Sequence, residues 1–175
     1  MQRSELEREL EALHSECWGW ALACCARDSE LAEDALQTAY LRVLSGRAKF
    51  DGRSSLRTWV FGVIRMTALE EGRRRRSWMA RTLGVDATMD LADPAPGADA
   101  TAEFSEQSAI LIAALAAVSP RQREVLQLVF YHGMTIEEAA RVMSISVGSA
   151  RTHYERGKKA LAHTLAELRR DELAG

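Results

Sequence analysis

The sequence predicts an all-α protein made of two small helical domains joined by an acidic linker. Apolar residues recur at intervals of three and four in several segments, which is the period of amphipathic helices. Residues 80–107 interrupt that period: they hold two of the three prolines, one basic side chain and six acidic ones. A chain of 175 residues has room for two ordinary domains. We therefore predict domains at residues 1–79 and 108–175, with a linker at 80–107.

The composition excludes several classes of protein. The 47% hydrophobic content suits a folded soluble chain, and no run approaches the roughly 18 apolar residues of a membrane span. The N-terminus, MQRSELERELEAL, is too charged for a secretory signal, so we expect a cytoplasmic protein. Cys17, Cys24 and Cys25 form no CxxC pair, and we expect buried thiols rather than a metal or redox site.

The first domain is predicted to hold three long helices. The first has a stripe at Leu6, Leu10, Leu13, Cys17, Trp20 and Cys24. The second begins after Asp28 and buries Leu31, Ala32, Ala35, Leu36, Ala39 and Val43. The opposite face of this helix is acidic, with Glu30, Glu33, Asp34 and Gln37, and it carries one apolar residue, Leu41. That face is either a solvated surface or a docking surface for a basic partner.

The third helix follows KFDGRSS, where Asp-Gly predicts a turn and a serine predicts an N-cap. Its predicted buried stripe is Leu56, Val60, Val63, Ile64 and Thr67, and a second stripe, expected to face outward, holds Thr58, Phe61, Arg65, Leu69 and Arg76. The run Arg73, Arg74, Arg75 and Arg76 is either a solvated helix end or a site for phosphates. Trp59 and Phe61 favour a nucleic acid, because unstacked bases stack on aromatic rings, although either ring could belong to the core.

The second domain contains a predicted helix-turn-helix. Ser119, Pro120 and Gln122 indicate a helix start, and Thr135 with Glu138 forms a capping box. A short turn ends at Ser146, which is expected to cap the last helix. That helix is predicted to bury Val147, Ala150, Tyr154, Leu161, Leu165 and Leu168. It exposes a polar face that either reads base edges in a major groove or is simply solvated: Arg151, Thr152, Glu155, Arg156 and Lys159.

Three segments together resemble a known family. AEDALQTAYLRVL, KFDGRSSLRTWVFGVIRMTALEEGRRRR and SPRQREVLQLVFYHGMTIEEAARVMSISVGSARTHYERGKKAL are similar to conserved regions 2 and 4 of sigma-70 family initiation factors. With only these two regions and an acidic linker, the chain resembles the extracytoplasmic function (ECF, group 4) subfamily. The resemblance implies two partners: promoter DNA, and core RNA polymerase through its β′ clamp helices and β flap. It implies no cofactor, and an anti-sigma factor is a further expected partner.

The resemblance also implies roles for individual residues. The polymerase-binding set is Glu33, Asp34, Gln37 and Leu41. The set near the minus-10 element is Ser54, Ser55, Arg57, Thr58, Trp59, Phe61, Arg65 and Met66, with the four arginines on phosphates. Arg151, Thr152, Glu155, Arg156 and Lys159 would contact the minus-35 element. The acidic linker would follow the polymerase cleft near the RNA path.

Four positions depart from the family pattern. Met66 stands where Asn is usual and Glu70 where Asp is usual, so the preferred minus-10 base is not predictable. Ala150 replaces Val, and Gly157 replaces Ala at a cost of about 1 kcal/mol in helix propensity.

Two other functions fit parts of the sequence. One is a helix-turn-helix regulator that binds duplex DNA without polymerase. The other is a sigma-like decoy that binds an antagonist, although a decoy has no use for phosphate contacts. The sequence contains no Walker loop, no HExxH and no nucleophile-base pair, so we expect no catalytic and no metal site.

Overall fold

In a computed structural model of the chain, residues 3–83, 114–115 and 118–174 are described. The chain divides into two compact units, residues 1–97 and 98–175. Every regular element in the described residues is helical, which confirms the predicted all-α class. The predicted linker lies outside the described residues except at 80–83, where the chain is still helical.

The first unit consists of α1 (Arg3–Ala12), α2 (His14–Cys24), α3 (Ser29–Leu44) and α4 (Leu56–Leu83). The prediction of a single long first helix is wrong, because the structure divides it into two helices at Leu13, whose backbone lies at φ −88° and ψ −3°. The core of the first unit contains a stacked aromatic pair: the ring centres of Trp20 and Phe61 are 5.8 Å apart. The indole Nε1 of Trp20 also donates to the backbone oxygen of Phe61 at 3.0 Å, which fastens α2 to α4.

Side-chain caps determine where α3 and α4 begin. Asp28 Oδ1 accepts from the backbone N–H of Leu31 at 3.0 Å, and Ser55 Oγ accepts from that of Thr58 at 3.1 Å. Both contacts satisfy N–H groups that a helix start leaves unpaired. The turn before α4 contains Gly52 at φ +73°, a left-handed conformation that glycine adopts without strain. These caps confirm the helix starts that the sequence predicts.

The second unit consists of α5 (Pro120–Leu126), a π-helical segment (Gln127–Tyr131), α6 (Ile136–Met143) and α7 (Val147–Ala174). Thr135 and Glu138 form the predicted capping box, with both reciprocal hydrogen bonds present. The turn between α6 and α7 places Ser144 at φ 54°, and Ser146 Oγ accepts from the N–H of Ser149 at 3.1 Å. At the start of α5 the prediction was only partly right, because Ser119 makes no side-chain cap.

A close approach between α5 and α7 explains Gly157. This residue is buried, and a Cβ built there would lie 3.0 Å from Leu126 Cδ1 and 3.2 Å from Gln122 Cβ. Such distances are tighter than ordinary van der Waals contact, so Leu126 and Gln122 would have to shift by a few tenths of an ångström to admit a methyl group. The propensity cost of glycine is thus offset by helix packing.

This contact predicts opposite effects for two glycine substitutions. Gly157→Ala should lower the free energy of unfolding by about 1–2 kcal/mol, because overpacking exceeds the gain in propensity. Gly72→Ala is the matched control: its Cβ would meet only Arg76 Nη1, at 3.6 Å, so we expect stabilisation of about 0.5–1 kcal/mol. Urea denaturation of both variants measures this difference, and equal stabilisation would contradict the packing argument.

The cysteines are free thiols inside the first unit. Cys17 and Cys25 are buried and Cys24 is half-buried. Burial raises the pKa of the Cys17 thiol to about 11 and that of Cys25 to about 12, so both stay protonated at neutral pH. A neutral buried thiol is a poor nucleophile and a poor metal ligand. These thiols act as small core side chains.

Candidate polymerase and nucleic-acid interfaces

The acidic face of α3 is exposed along two turns. Glu33, Asp34 and Gln37 are exposed, and the Gln37 amide donates to Glu33 Oε1 at 3.1 Å. One turn further, the side chain of Leu41 is 68% exposed. The opposite face packs into the core through Ala32, Ala35, Leu36, Ala39 and Val43, which confirms the predicted buried stripe except at Leu31, which is half-buried. A large exposed apolar side chain about two turns from two exposed carboxylates on the same helix suits protein docking.

The four arginines lie on α4 beyond its packed part, and all are exposed. Two of them form ion pairs: Arg74 with Glu71 at 3.1 Å, and Arg75 with Asp28 at 2.7 Å. Asp28 also caps α3, so Arg75 contributes to the fold as well as to the surface charge. Within the described residues no ion-pair partner is found for Arg73 or Arg76, which leaves these two the more available for phosphates.

The predicted outward stripe of α4 is wrong in part. Thr58 and Phe61 are buried, at 2% and 0% exposure, and Arg65 is buried at 9%. The reason is that α4 packs against both α2 and α3, so its buried arc is wider than one stripe. In this structure Phe61 stacks on Trp20 and is not accessible to a base.

Other residues from the predicted minus-10 set remain at the surface. Met66 is 56% exposed, Ser55 is exposed, and Ser54 and Trp59 are half-buried. The Trp59 ring lies 5.3 Å from that of Phe50, so its indole is held against the loop that precedes α4. These four residues are at least partly accessible to solvent.

Two ion pairs orient α4, and the sequence did not reveal either of them. Arg57 pairs with Glu16 of α2 at 2.5 Å, and its guanidinium lies 5.5 Å from the centre of the Phe61 ring. Arg42 of α3 pairs with Glu70 at 2.5 Å. Arg57 is therefore directed towards α2 in this structure, and Glu70 is held by α3. Glu70 thus helps to join α3 to α4.

The residues predicted to form the polar face of α7 are all exposed: Arg151, Thr152, Glu155, Arg156 and Lys159. Arg151 lies 3.9 Å from Glu137 of α6, and Glu155 lies 3.2 Å from Lys158. Both are surface pairs, and exposed ion pairs of this kind contribute little stability. The predicted buried stripe of this helix is only partly confirmed. Ala150 is buried, Tyr154, Leu161 and Leu165 are half-buried, and Val147 is 40% exposed, whereas the side chain of Leu168 lies outside the described residues.

An exposed groove on α4 was missed by the sequence reasoning. It is lined by Arg73, Arg74, Ser77, Trp78 and Arg81. The sequence did contain a signal for this groove, namely an aromatic residue one helical turn after an arginine, Trp78 after Arg74.

Neither a membrane-spanning helix nor a metal centre is found in the part of the chain that is described. No helix there combines the length and apolar character needed to cross a bilayer. In the same residues no three His, Cys, Asp or Glu side chains are grouped so that they could hold a metal ion.

Comparison with known proteins defines the class of protein. Residues 10–78 match the family model for Sigma-70 region 2, and residues 108–161 match that for Sigma-70, region 4. The chain is 34% identical over 149 residues to the ECF RNA polymerase sigma factor SigX of Bacillus subtilis, covering 84% of this chain and 76% of that protein. The chain therefore belongs to the sigma-70 family, in its ECF group.

Other relatives agree with this assignment. The RNA polymerase sigma factor CarQ of Myxococcus xanthus is 31% identical, with 84% of this chain and 82% of that protein covered. The sigma factor RpoE of Bartonella quintana, solved in complex with the anti-sigma factor NepR, has a similar fold at TM-score 0.71 and 20% identity. That likeness covers 93% of this chain and 97% of the solved one.

Proposed function

We propose that this protein is an ECF sigma factor that binds core RNA polymerase and directs promoter recognition, DNA melting and the start of transcription. The observation that carries the proposal is the presence of both sigma regions in one chain, each with an exposed face of suitable charge. An ordinary helix-turn-helix regulator needs only the second region. The family relationship implies core polymerase and promoter DNA as partners.

The proposal assigns the acidic face of α3 to the polymerase and two basic surfaces to DNA. The exposed arginines at the end of α4 hold phosphates near the minus-10 element, while Met66 and Trp59 lie close to the bases. The face of α7 enters the major groove at the minus-35 element. Phosphate contacts position the protein, and contacts with bases supply the sequence preference.

Melting requires no catalytic chemistry in this proposal. Binding unpaired bases more tightly than paired ones shifts the equilibrium towards open DNA. Sigma factors as a family are initiation factors rather than enzymes. We propose that this chain, too, catalyses no reaction of its own. We also propose that it acts in the cytoplasm and is regulated there by an anti-sigma factor.

In vitro transcription tests the function directly. Purified protein and core polymerase are combined on a library of DNA fragments with randomised minus-35 and minus-10 elements. We expect transcripts that start at defined places and share two sequence elements, with none from core polymerase alone. A chain that binds duplex DNA equally well without polymerase would instead be a regulator, and one that starts no RNA would contradict the proposal.

The same library tests Glu155. Its side chain is 61% exposed on the face of α7 and can accept a hydrogen bond from cytosine N4. Glu155→Ala should relax the preference at one minus-35 position by about 1–3 kcal/mol, with other positions unchanged. Glu167→Ala, at an exposed acidic residue just over three turns further on the same helix, removes the same charge as a control. An identical consensus for Glu155→Ala and wild type would remove Glu155 from the reading set.

A further inference from the structure

An ion pair between two helices holds Glu70 against α3. Arg42, in the last turn of α3, pairs with Glu70 of α4, with 2.5 Å between Arg42 Nη2 and Glu70 Oε2. The other terminal nitrogen of the same guanidinium, Nη1, donates to Thr67 Oγ1 at 3.3 Å. The Thr67 side chain is fully buried, and its hydroxyl donates to the backbone oxygen of Val63 at 2.9 Å. Arg42 is therefore oriented by two acceptors that lie one turn apart on α4.

Glu70 also lies one helical turn before Arg73. Side chains three residues apart on a helix are neighbours, and opposite charges at that spacing attract each other. The next two residues show this directly, because Glu71 pairs with Arg74 at the same spacing, at 3.1 Å. Glu70 pairs instead with Arg42, and no ion-pair partner of Arg73 is found in the part of the chain that is described. The carboxylate that could neutralise Arg73 is thus held on the α3 side of α4.

We propose that Arg42 is a positioning residue for promoter binding, which keeps Glu70 away from Arg73 and so leaves Arg73 available for a DNA phosphate. Without Arg42, the Glu70 carboxylate turns to Arg73, and that new pair has to break before Arg73 can hold a phosphate. Arg42 itself contacts no DNA in this role. The inference rests on the proposed function and deepens it, because it explains how an acidic residue can lie one turn before a phosphate-binding arginine.

A purely structural role for the same ion pair has different consequences. If the pair only joined α3 to α4, removing either partner would affect promoter binding equally. In the positioning role the two changes differ, because loss of Arg42 releases a carboxylate beside Arg73, whereas loss of Glu70 removes that carboxylate. Both side chains are partly exposed, 28% for Arg42 and 40% for Glu70, and such a pair contributes little stability, so either variant should fold.

The test compares isolated holoenzymes that contain wild type, Arg42→Gln, Glu70→Gln or the double variant Arg42→Gln/Glu70→Gln. Fluorescence anisotropy with promoter DNA at several KCl concentrations measures the slope of log K against log salt. Arg8→Gln, at an exposed residue of α1, is the charge-matched control for Arg42→Gln. Urea denaturation of each free protein measures its stability in parallel.

Arg42→Gln should lower the salt slope by about 0.9, the value of one lost phosphate contact. Glu70→Gln and Arg8→Gln should keep the wild-type slope, and the double variant should recover it. The double variant does not regain the ion pair, so its stability should be no higher than that of Arg42→Gln. Recovery of the slope without recovery of stability separates positioning from a structural role.

A second comparison identifies the arginine that Glu70 would capture. Arg73→Gln should lower the slope by about 0.9 in the wild-type background and cause no further reduction in the Arg42→Gln background, where Arg73 is already neutralised.

Three results would overturn the inference: a wild-type slope for Arg42→Gln, an equal reduction in Arg42→Gln and the double variant, or an equal effect of Arg73→Gln in both backgrounds. Failure of the proposed function is distinguishable, because wild-type holoenzyme would then show no preference for the promoter over a scrambled sequence.

Discussion

Reversing both charges of Glu33 and Asp34 to Lys is expected to abolish stable binding to core RNA polymerase. Both side chains are exposed on α3, and neither packs into the core, so the variant should fold normally. Like charges placed together at an interface cost several kcal/mol, which corresponds to a loss of at least about 100-fold in affinity. The apolar contact of Leu41 does not compensate for that loss.

A pull-down with core polymerase and an anisotropy titration both measure this loss. The charge-matched control reverses Glu9 and Glu11, two exposed residues at the end of α1, and should bind like wild type. Circular dichroism confirms that both variants keep their helices. Normal retention of the Glu33/Asp34 variant on core polymerase would assign docking to another surface.

Local signals made the helix starts predictable from sequence. Four side chains cap helices by accepting a hydrogen bond from the backbone N–H three residues ahead: Asp28, Ser55, Thr135 and Ser146. Such contacts depend only on neighbouring residues. The break at Leu13 was not predictable, because a one-residue turn at φ −88° and ψ −3° leaves the apolar period almost unchanged.

Contacts between distant parts of the chain limited the prediction of the candidate site. Phe61 shares a stripe with exposed residues, and nothing near it in sequence shows that Trp20 covers its ring. The partner of Arg57, Glu16, likewise lies on another helix. Gly157 is explained only by the closeness of α5, because glycine has no side chain to clash with it. Each of these outcomes depends on which helices become neighbours, a property that periodicity does not encode.

Replacing Arg73 and Arg76 with Gln is expected to weaken promoter binding and flatten its salt dependence. Each arginine that neutralises a phosphate releases counterions, and the slope of log K against log salt changes by about 0.9 per contact on duplex DNA. Losing two contacts should therefore lower the slope by about 1.8, with the largest loss of affinity at low salt. The measurement is open-complex formation by holoenzyme between low and high KCl concentrations.

The structure explains why these two arginines are better targets than the whole run. Arg75 pairs with Asp28 at 2.7 Å, and Asp28 caps α3, so its removal would disturb the fold along with the surface charge. The control replaces Arg3 and Arg8 with Gln. Both are exposed on α1, so the control removes the same net charge at positions distant in sequence from α4. If that control flattens the salt dependence equally, the effect comes from overall charge. An Arg73/Arg76 variant with an unchanged slope would mean that neither side chain contacts a phosphate, and the positive charge at this helix end would then serve only to keep α4 solvated beyond the packed helices.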